Sequence, residues 1–223
     1  MKQVSATLMG PPIDKEVASL RKKLARLSDA HNIAIQALLI QAEENERLKM
    51  ELAKRSVDSI TGLISDPHVI DQELSLLCAL AKRANQAFVV FFLDMNGLKD
   101  INDRFGHEAG DKAILEASIS IRSCLRESDF LARRGSKSDE FILVSTFEKE
   151  DLIKKVLCFQ KRIQECVAGR LVEIGRNRAS ISIAMGFSIR NPLKRTLQQE
   201  LRIADHKMYR NKIRMKLKNK EVQ

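Results

Sequence analysis

The chain has no tryptophan, one tyrosine, four prolines and four cysteines in 223 residues. Each scarcity excludes something. Binders of single-stranded nucleic acid hold bases on stacking aromatics, so a lone Tyr209 argues against a nucleic-acid ligand. The cysteines, Cys78, Cys124, Cys158 and Cys166, fall without CxxC spacing. They read as buried thiols of a reducing compartment, not as a zinc site or a disulfide frame. No apolar run approaches the roughly 20 residues of a membrane helix; the longest, Ala87 to Leu93, has the length of a strand. Met1 to Pro12 lacks the basic-then-apolar order of a signal peptide. The expected location is the cytoplasm, with no membrane partner.

What is present divides in two. Hydrophobic residues make up 44% and charged residues 30%, enough for a packed core. Between Lys15 and Arg55 there is no Gly or Pro, and a seam recurs at steps of three and four. It runs Val17, Leu20, Leu24, Leu27, His31, Ala34, Leu38, Gln41, Asn45, Leu48, Leu52, and eight of these eleven are apolar. A seam kept over this length predicts a coiled coil, and Asn45 at an a position favours a two-stranded one. At about 1.5 Å per residue the rod would be about 60 Å long, and it is expected to make the protein a homodimer.

From Asp58 the pattern alternates between helix and strand. Asp66-Pro67 predicts a helix start, running to about Arg83. Ala87 to Leu93 reads as a buried strand, Lys112 to Arg126 as a helix, and Phe130 to Arg134 with Phe141 to Thr146 as a hairpin. A helix over Glu148 to Val167, a strand over Ser180 to Ile189 and a last helix from Leu197 to about Met215 complete it. The expected class is α+β, a mixed central sheet flanked by helices and preceded by the coiled-coil helix. The expected divisions are a flexible N-terminus over 1–13, a rod over 14–57, a globular domain over 58–216 and a basic tail over 217–223.

Net charge is +10, and Lys207 to Lys220 holds seven basic residues and no acidic one. Such a stretch fits either a solvated helix end or phosphate binding. Asp94 stands near the end of the apolar strand, where α/β sheets place ligands and where Mg²⁺ could be held. Asp139-Glu140 after the hairpin turn would supply the further carboxylates that a metal–triphosphate site needs.

Five ordered blocks carry a family resemblance: Asp58-Ser59-Ile60-Thr61-Gly62-Leu63; Asp94 through Asp103; Gly106-His107-Glu108-Ala109-Gly110-Asp111; Ala184-Met185-Gly186-Phe187; and Ala204 through Lys212. Over about Asp58 to Lys216 the chain resembles the GGDEF domain family, the diguanylate cyclases of bacteria. The resemblance implies condensation of two GTP into cyclic di-GMP and pyrophosphate, one GTP per subunit, with Mg²⁺ or Mn²⁺. It implies Asp94, Asp139 and Glu140 as metal-binding carboxylates, with Asp139, Glu140 and Lys99 in catalysis. Substrate binding falls to Asn102 and Asp111 on guanine, Lys212 (with Lys99) on the triphosphate, and Leu98. His107, in its turn, is read as structural. Arg126-Glu127-Ser128-Asp129, just ahead of the turn, and Arg162 match an inhibitory site for cyclic di-GMP.

The signature itself departs. The family reads R-x-G-G-D-E-F, and this chain reads Arg133-Arg134-Gly135-Ser136-Lys137-Ser138-Asp139-Glu140-Phe141. A glycine position holds Ser138, whose side chain could intrude on the nucleotide, two residues are inserted, and Lys137 would add a cation beside a triphosphate. Lys216 stands where Arg is frequent, losing bidentate geometry. Two functions therefore compete: a cyclase, or an inactive cyclic di-GMP receptor acting through Arg126, Asp129 and Arg162.

Overall fold

The computed structural model describes residues 13–135, 138–175, 177–191 and 194–221, by backbone alone at 13–14, 49–55 and 218–221. The expected flexible N-terminus, the side chain of Leu52 and the loop residues Ser136 and Lys137 lie outside these. The chain divides into two compact units, Met1–Lys54 and Arg55–Gln223.

The first unit is one helix, α1 (Ile13–Arg55). It has no core: Leu20, Leu24, Leu27 and Leu38 are each more than half exposed. The described apolar residues of its seam are uncovered.

The second unit starts with a turn, then α2 (Pro67–Arg83). Asp66 caps α2 as its residue types predict, accepting from the His68 and Val69 amides at 2.8 and 3.2 Å. There follow β1 (Ala87–Asn96), α3 (Leu98–Phe105), α4 (His107–Ser123), β2 (Phe130–Arg133) and β3 (Glu140–Phe147). Then come α5 (Leu152–Ala168), a small hairpin β4 (Leu171–Ile174) and β5 (Asn177–Ser180), β6 (Ser182–Ile189) and α6 (Leu197–Glu221). The main sheet has the order β2-β3-β1-β6. Its ladders are all antiparallel, and a parallel contribution is confined to the single bridge Ile64↔Ala132.

β1 is buried on both faces, which is why it reads as a continuous apolar run instead of alternating. Val89, Phe91, Leu93 and Met95 join one core with residues of α4 and α5 such as Ala113, Ile121, Phe159 and Ile163. Phe88, Val90 and Phe92 join the other, with Ile70 and Leu74 of α2 and Ala204 and Met208 of α6. Gly186 of β6 makes the second core close-packed. A Cβ there would lie 2.1 Å from the Met208 amide nitrogen and 2.3 Å from the Ala204 carbonyl, so only a bare Cα lets α6 lie on the sheet.

Several boundaries differ from expectation. α3 and the β4–β5 hairpin were not foreseen, the former being too short to show a helical period. α4 starts and ends earlier than the predicted Lys112 to Arg126, and α5 starts at Leu152. α6 continues to Glu221, past the expected end near Met215 and into the stretch 217–223 expected as a tail. The cysteines are free, but Cys158 is exposed and the other three only partly covered, so the buried-thiol reading is corrected. Cys158 falls on the solvent side of α5, whose inward positions are Val156, Phe159, Ile163 and Val167.

Candidate active site

The ladder register decides which carboxylates meet. Asp94 pairs across β1–β3 with Glu140, and the Met95 amide donates to the Asp139 carbonyl at 3.2 Å. Asp94 and Glu140, facing each other in an antiparallel pair, project from the same side of the sheet, the side covered by α6. From α6 the Lys212 ammonium reaches the Asp94 carboxylate and makes a direct ion pair. Burial, above all, and the nearby charges of Asp139 and Glu140 push the Asp94 carboxyl above the usual carboxylate range, against the downward pull of Lys212. The site is thus a partly desolvated cluster of negative charge, with Lys212 on Asp94 and Arg134 on Glu140.

The hairpin that carries Asp139 and Glu140 is pinned by a residue whose role sequence reasoning missed. Arg133 is 1% exposed. Its Nε donates to the Ser138 carbonyl at 2.8 Å, and its guanidinium lies 2.8 Å from the Asp58 carboxylate, also buried. Asp58 in turn accepts from the Thr61 amide and hydroxyl at 2.8 and 2.7 Å. Burial works to raise the Asp58 pKa, yet the Thr61 and Arg133 hydrogen bonds outweigh it and hold the carboxyl below its ordinary value. The Arg133 amide also donates to the Ile64 carbonyl at 2.9 Å. So the turn at Asp58–Leu63 and the signature hairpin form one ionic unit. In sequence, Asp58 and Arg133 stood in two separate motif blocks with nothing to say that they pair.

The Ser138 hydroxyl turns back to accept from the Glu140 amide at 3.0 Å while its carbonyl accepts from Arg133. The neighbouring Arg134 pairs with Glu140 at 3.1 Å and lies 5.1 Å over the Phe92 ring.

Asn102 and Asp111 stand on the α3–α4 helix pair that begins just past β1. Gly110 makes room for the Asn102 side chain: a Cβ there would fall 1.9 Å from Asn102 Oδ1. That oxygen is buried with no partner, and Asp111 is exposed. Lys99 is exposed on the first turn of α3 beside half-buried Leu98, and His107, the first residue of α4, is exposed. Elsewhere, Arg126 and Asp129 close a tight turn. The Arg126 amide donates to Asp129 Oδ2 at 2.9 Å, leaving Asp129 Oδ1 buried and unpartnered. Arg162 lies over Phe159, donates to the Cys124 carbonyl at 2.9 Å, and lines one hollow with Arg126, Lys154 and Lys155.

Among the described residues no three acidic, histidine or cysteine side chains gather tightly enough to cage an ion by themselves. The donor set around Asp94 suits instead a metal that takes one or two carboxylates and completes its shell with phosphate oxygens, as Mg²⁺ does.

The family model for the diguanylate cyclase GGDEF domain matches residues 55–218. The chain belongs to the GGDEF family. A bifunctional diguanylate cyclase/cyclic di-GMP phosphodiesterase of Pseudomonas aeruginosa, MucR, is 28% identical over 167 residues, covering 74% of this chain and 23% of that protein. The diguanylate cyclase DgcP of Escherichia coli is 30% identical over 118 residues, covering 53% of this chain and 33% of that protein. The chain therefore spans a third or less of these relatives' length. The coiled coil and GGDEF domain of DgcB from Caulobacter crescentus, solved with c-di-GMP, superposes with a TM-score of 0.63. It covers 88% of this chain and 92% of that one at 22% identity, which shows the shared fold, long helix included. In this GGDEF chain the acidic pair of the signature thus faces Asp94 across a ladder, with Lys212 on the same carboxylate.

Proposed function

We propose that the chain is a cyclic di-GMP signalling protein and a diguanylate cyclase. Two GTP, one on each subunit of a dimer paired along the α1 seam, are condensed to cyclic di-GMP and pyrophosphate. The observation that carries this reading is the facing of Asp94 and the Asp139–Glu140 pair, with burial and the charges of Asp139 and Glu140 raising the cost of ionising Asp94. Such a cluster is stabilised by a cation and a polyphosphate, and a structural role gives it no purpose. Asp94 with Asp139 and Glu140 would hold Mg²⁺ or Mn²⁺, which supplies charge neutralisation at the phosphoryl oxygens. Lys212 exchanges Asp94 for the triphosphate, joined by Lys99 from α3. Asn102 and Asp111, with Leu98 beside them, take the guanine. A carboxylate accepts from both N1–H and the exocyclic amine, which adenine does not offer. The 3′-hydroxyl of one GTP then attacks the α-phosphorus of the other, and the lysines stabilise charge on the departing pyrophosphate.

A second reading has its own observation. Asp129 Oδ1 is buried without a partner; Asp129 lines one hollow with Arg126, and Arg126 lines a second with Arg162, an arrangement that supports a cyclic di-GMP receptor. On this reading the altered turn has ended catalysis. The two part in one assay, GTP with Mg²⁺ and the purified protein, read by chromatography. Cyclic di-GMP formed by the wild type and lost in Asp139→Ala supports the cyclase. No product, together with cyclic di-GMP binding that Arg126→Ala abolishes, supports the receptor.

A further inference from the structure

The register of the main sheet sets four charges in one row. Asp94 faces Glu140 across β1–β3, and Arg134, the residue after β2, faces Glu140 from the other side. The Arg134 amide donates to the Glu140 carbonyl at 2.9 Å, so this pair extends the β2–β3 ladder by one step. Side chains directly opposite in an antiparallel pair stand on one face. Arg134 Nη1 accordingly donates to Glu140 Oε2 at 3.1 Å, and Lys212 meets Asp94 at the other end. The order along the face is cation, acid, acid, cation. Two features hold Arg134 in this row. Its guanidinium lies 5.1 Å over the ring of buried Phe92, and Gly135, at φ +83°, turns the chain away just past the ladder.

Arg134 and Lys212 together carry two positive charges, the charge of one Mg²⁺ or Mn²⁺. Each neutralises a carboxylate proposed above for the metal, so both cations compete with it. A cation released from its carboxylate adds to the positive field that meets a triphosphate. Arg134 is suited to that second task. A guanidinium offers five N–H donors in a fork that matches phosphate oxygens. Among the described residues the Arg134 guanidinium has one hydrogen-bond partner, Glu140. The pair is open to water, with the arginine side chain 53% and the glutamate 29% exposed, and such pairs exchange partners at little cost. Arg134 also lines a hollow with Gly135 and Arg202, which leaves its side chain room to swing.

We infer that Arg134 is a displaceable cation of the nucleotide site, which neutralises Glu140 in the ligand-free protein and turns to the triphosphate when metal and GTP bind. The inference rests on the reading of Asp94, Asp139 and Glu140 as a metal–triphosphate site, and the outcomes below separate the two. The test measures two affinities of the full chain. One is for Mn²⁺ without nucleotide, by electron paramagnetic resonance; the other is for the α,β-methylene analogue of GTP at saturating Mg²⁺, by calorimetry. Arg134→Gln is expected to tighten Mn²⁺ about threefold, because a competing cation is gone. It should weaken the analogue on the order of tenfold, because charge-assisted hydrogen bonds to phosphate are lost. Arg134→Lys should restore the Mn²⁺ affinity yet recover only part of the analogue's, since an ammonium lacks the fork. Arg202→Gln, which removes an exposed arginine of the same hollow, should move neither affinity. Unchanged affinities in Arg134→Gln, shifts in one common direction, or equal shifts in Arg202→Gln overturn the exchange and leave Arg134 a surface ion pair. Opposite shifts with a wild type that makes no cyclic di-GMP from GTP overturn the cyclase and leave the exchange standing. A wild type that makes cyclic di-GMP, with both affinities indifferent to Arg134→Gln, does the reverse. One that binds neither Mn²⁺ nor the analogue overturns both.

Discussion

The turn at the start of the globular unit and the carboxylate cluster at the end of β1 each hold an aspartate against a cation, to opposite effect. Asp58 and Arg133 are 2% and 1% exposed, and Thr61 adds two further hydrogen bonds to the carboxylate. The result is a carboxyl held below its ordinary pKa. Asp94 is 8% exposed and also paired, yet it is held above its ordinary value because burial and two more carboxylates act on it and one lysine does not compensate. Pairing alone does not make a buried acid comfortable; the surrounding donors and charges do. A saturated pair belongs to the scaffold, and an unsaturated one is where a ligand's charge has something to gain.

The contrast can be broken by mutation. The largest effect is expected from Arg133→Met, which leaves Asp58 buried without its cation and should cost about 3–5 kcal/mol in urea denaturation. A double-mutant cycle over Asp58→Asn and Arg133→Met should give a larger coupling energy than one over Asp94→Asn and Lys212→Met. Equal couplings would erase the distinction. Asp94→Asn should act with the reverse sign, raising stability by about 1 kcal/mol at neutral pH, as removal of strained functional groups does; on the proposed cyclase reading it also abolishes GTP condensation. Acid sharpens the contrast further. A carboxyl whose pKa is lowered on folding contributes stability fully above its unfolded value of 3.8 and loses it as pH falls through the folded value. The stabilising contribution of Asp58 therefore disappears below that pH. The folded pKa of Asp94 is raised, so its penalty is full at pH above that value and gone below 3.8. The gain from Asp94→Asn should shrink as pH is lowered, a trend that urea titrations in a pH series would read. The smallest effect is expected at the half-exposed Arg134–Glu140 pair, where Arg134→Ala should cost less than about 1 kcal/mol.

Most elements were legible in the linear pattern because their signals are local. Asp66-Pro67 needs only its own side chain and the next turn to start α2, and the rod needs only its seam. α3 and the β4–β5 hairpin were not legible, being too short for a period to accumulate. The motif residues of the carboxylate cluster were visible through family resemblance, but the burial of Arg133 was not. An arginine on a strand looks the same in sequence whether it meets water or Asp58.

Sequence alone determined a rod with an a/d seam, a sheet of buried strands, and the order in which acidic, glycine and basic blocks follow one another. Only the tertiary structure decided that Asp94 faces Glu140, that Lys212 returns from the far end of the chain to Asp94, and that Arg133 ties the signature hairpin to the turn at Asp58. The reason is physical. Periodicity and capping act over a few residues, whereas the protonation balance of a carboxylate depends on every charge and every missing water around it. Those neighbours are assembled by the ladder register and helix packing of residues far apart in the chain.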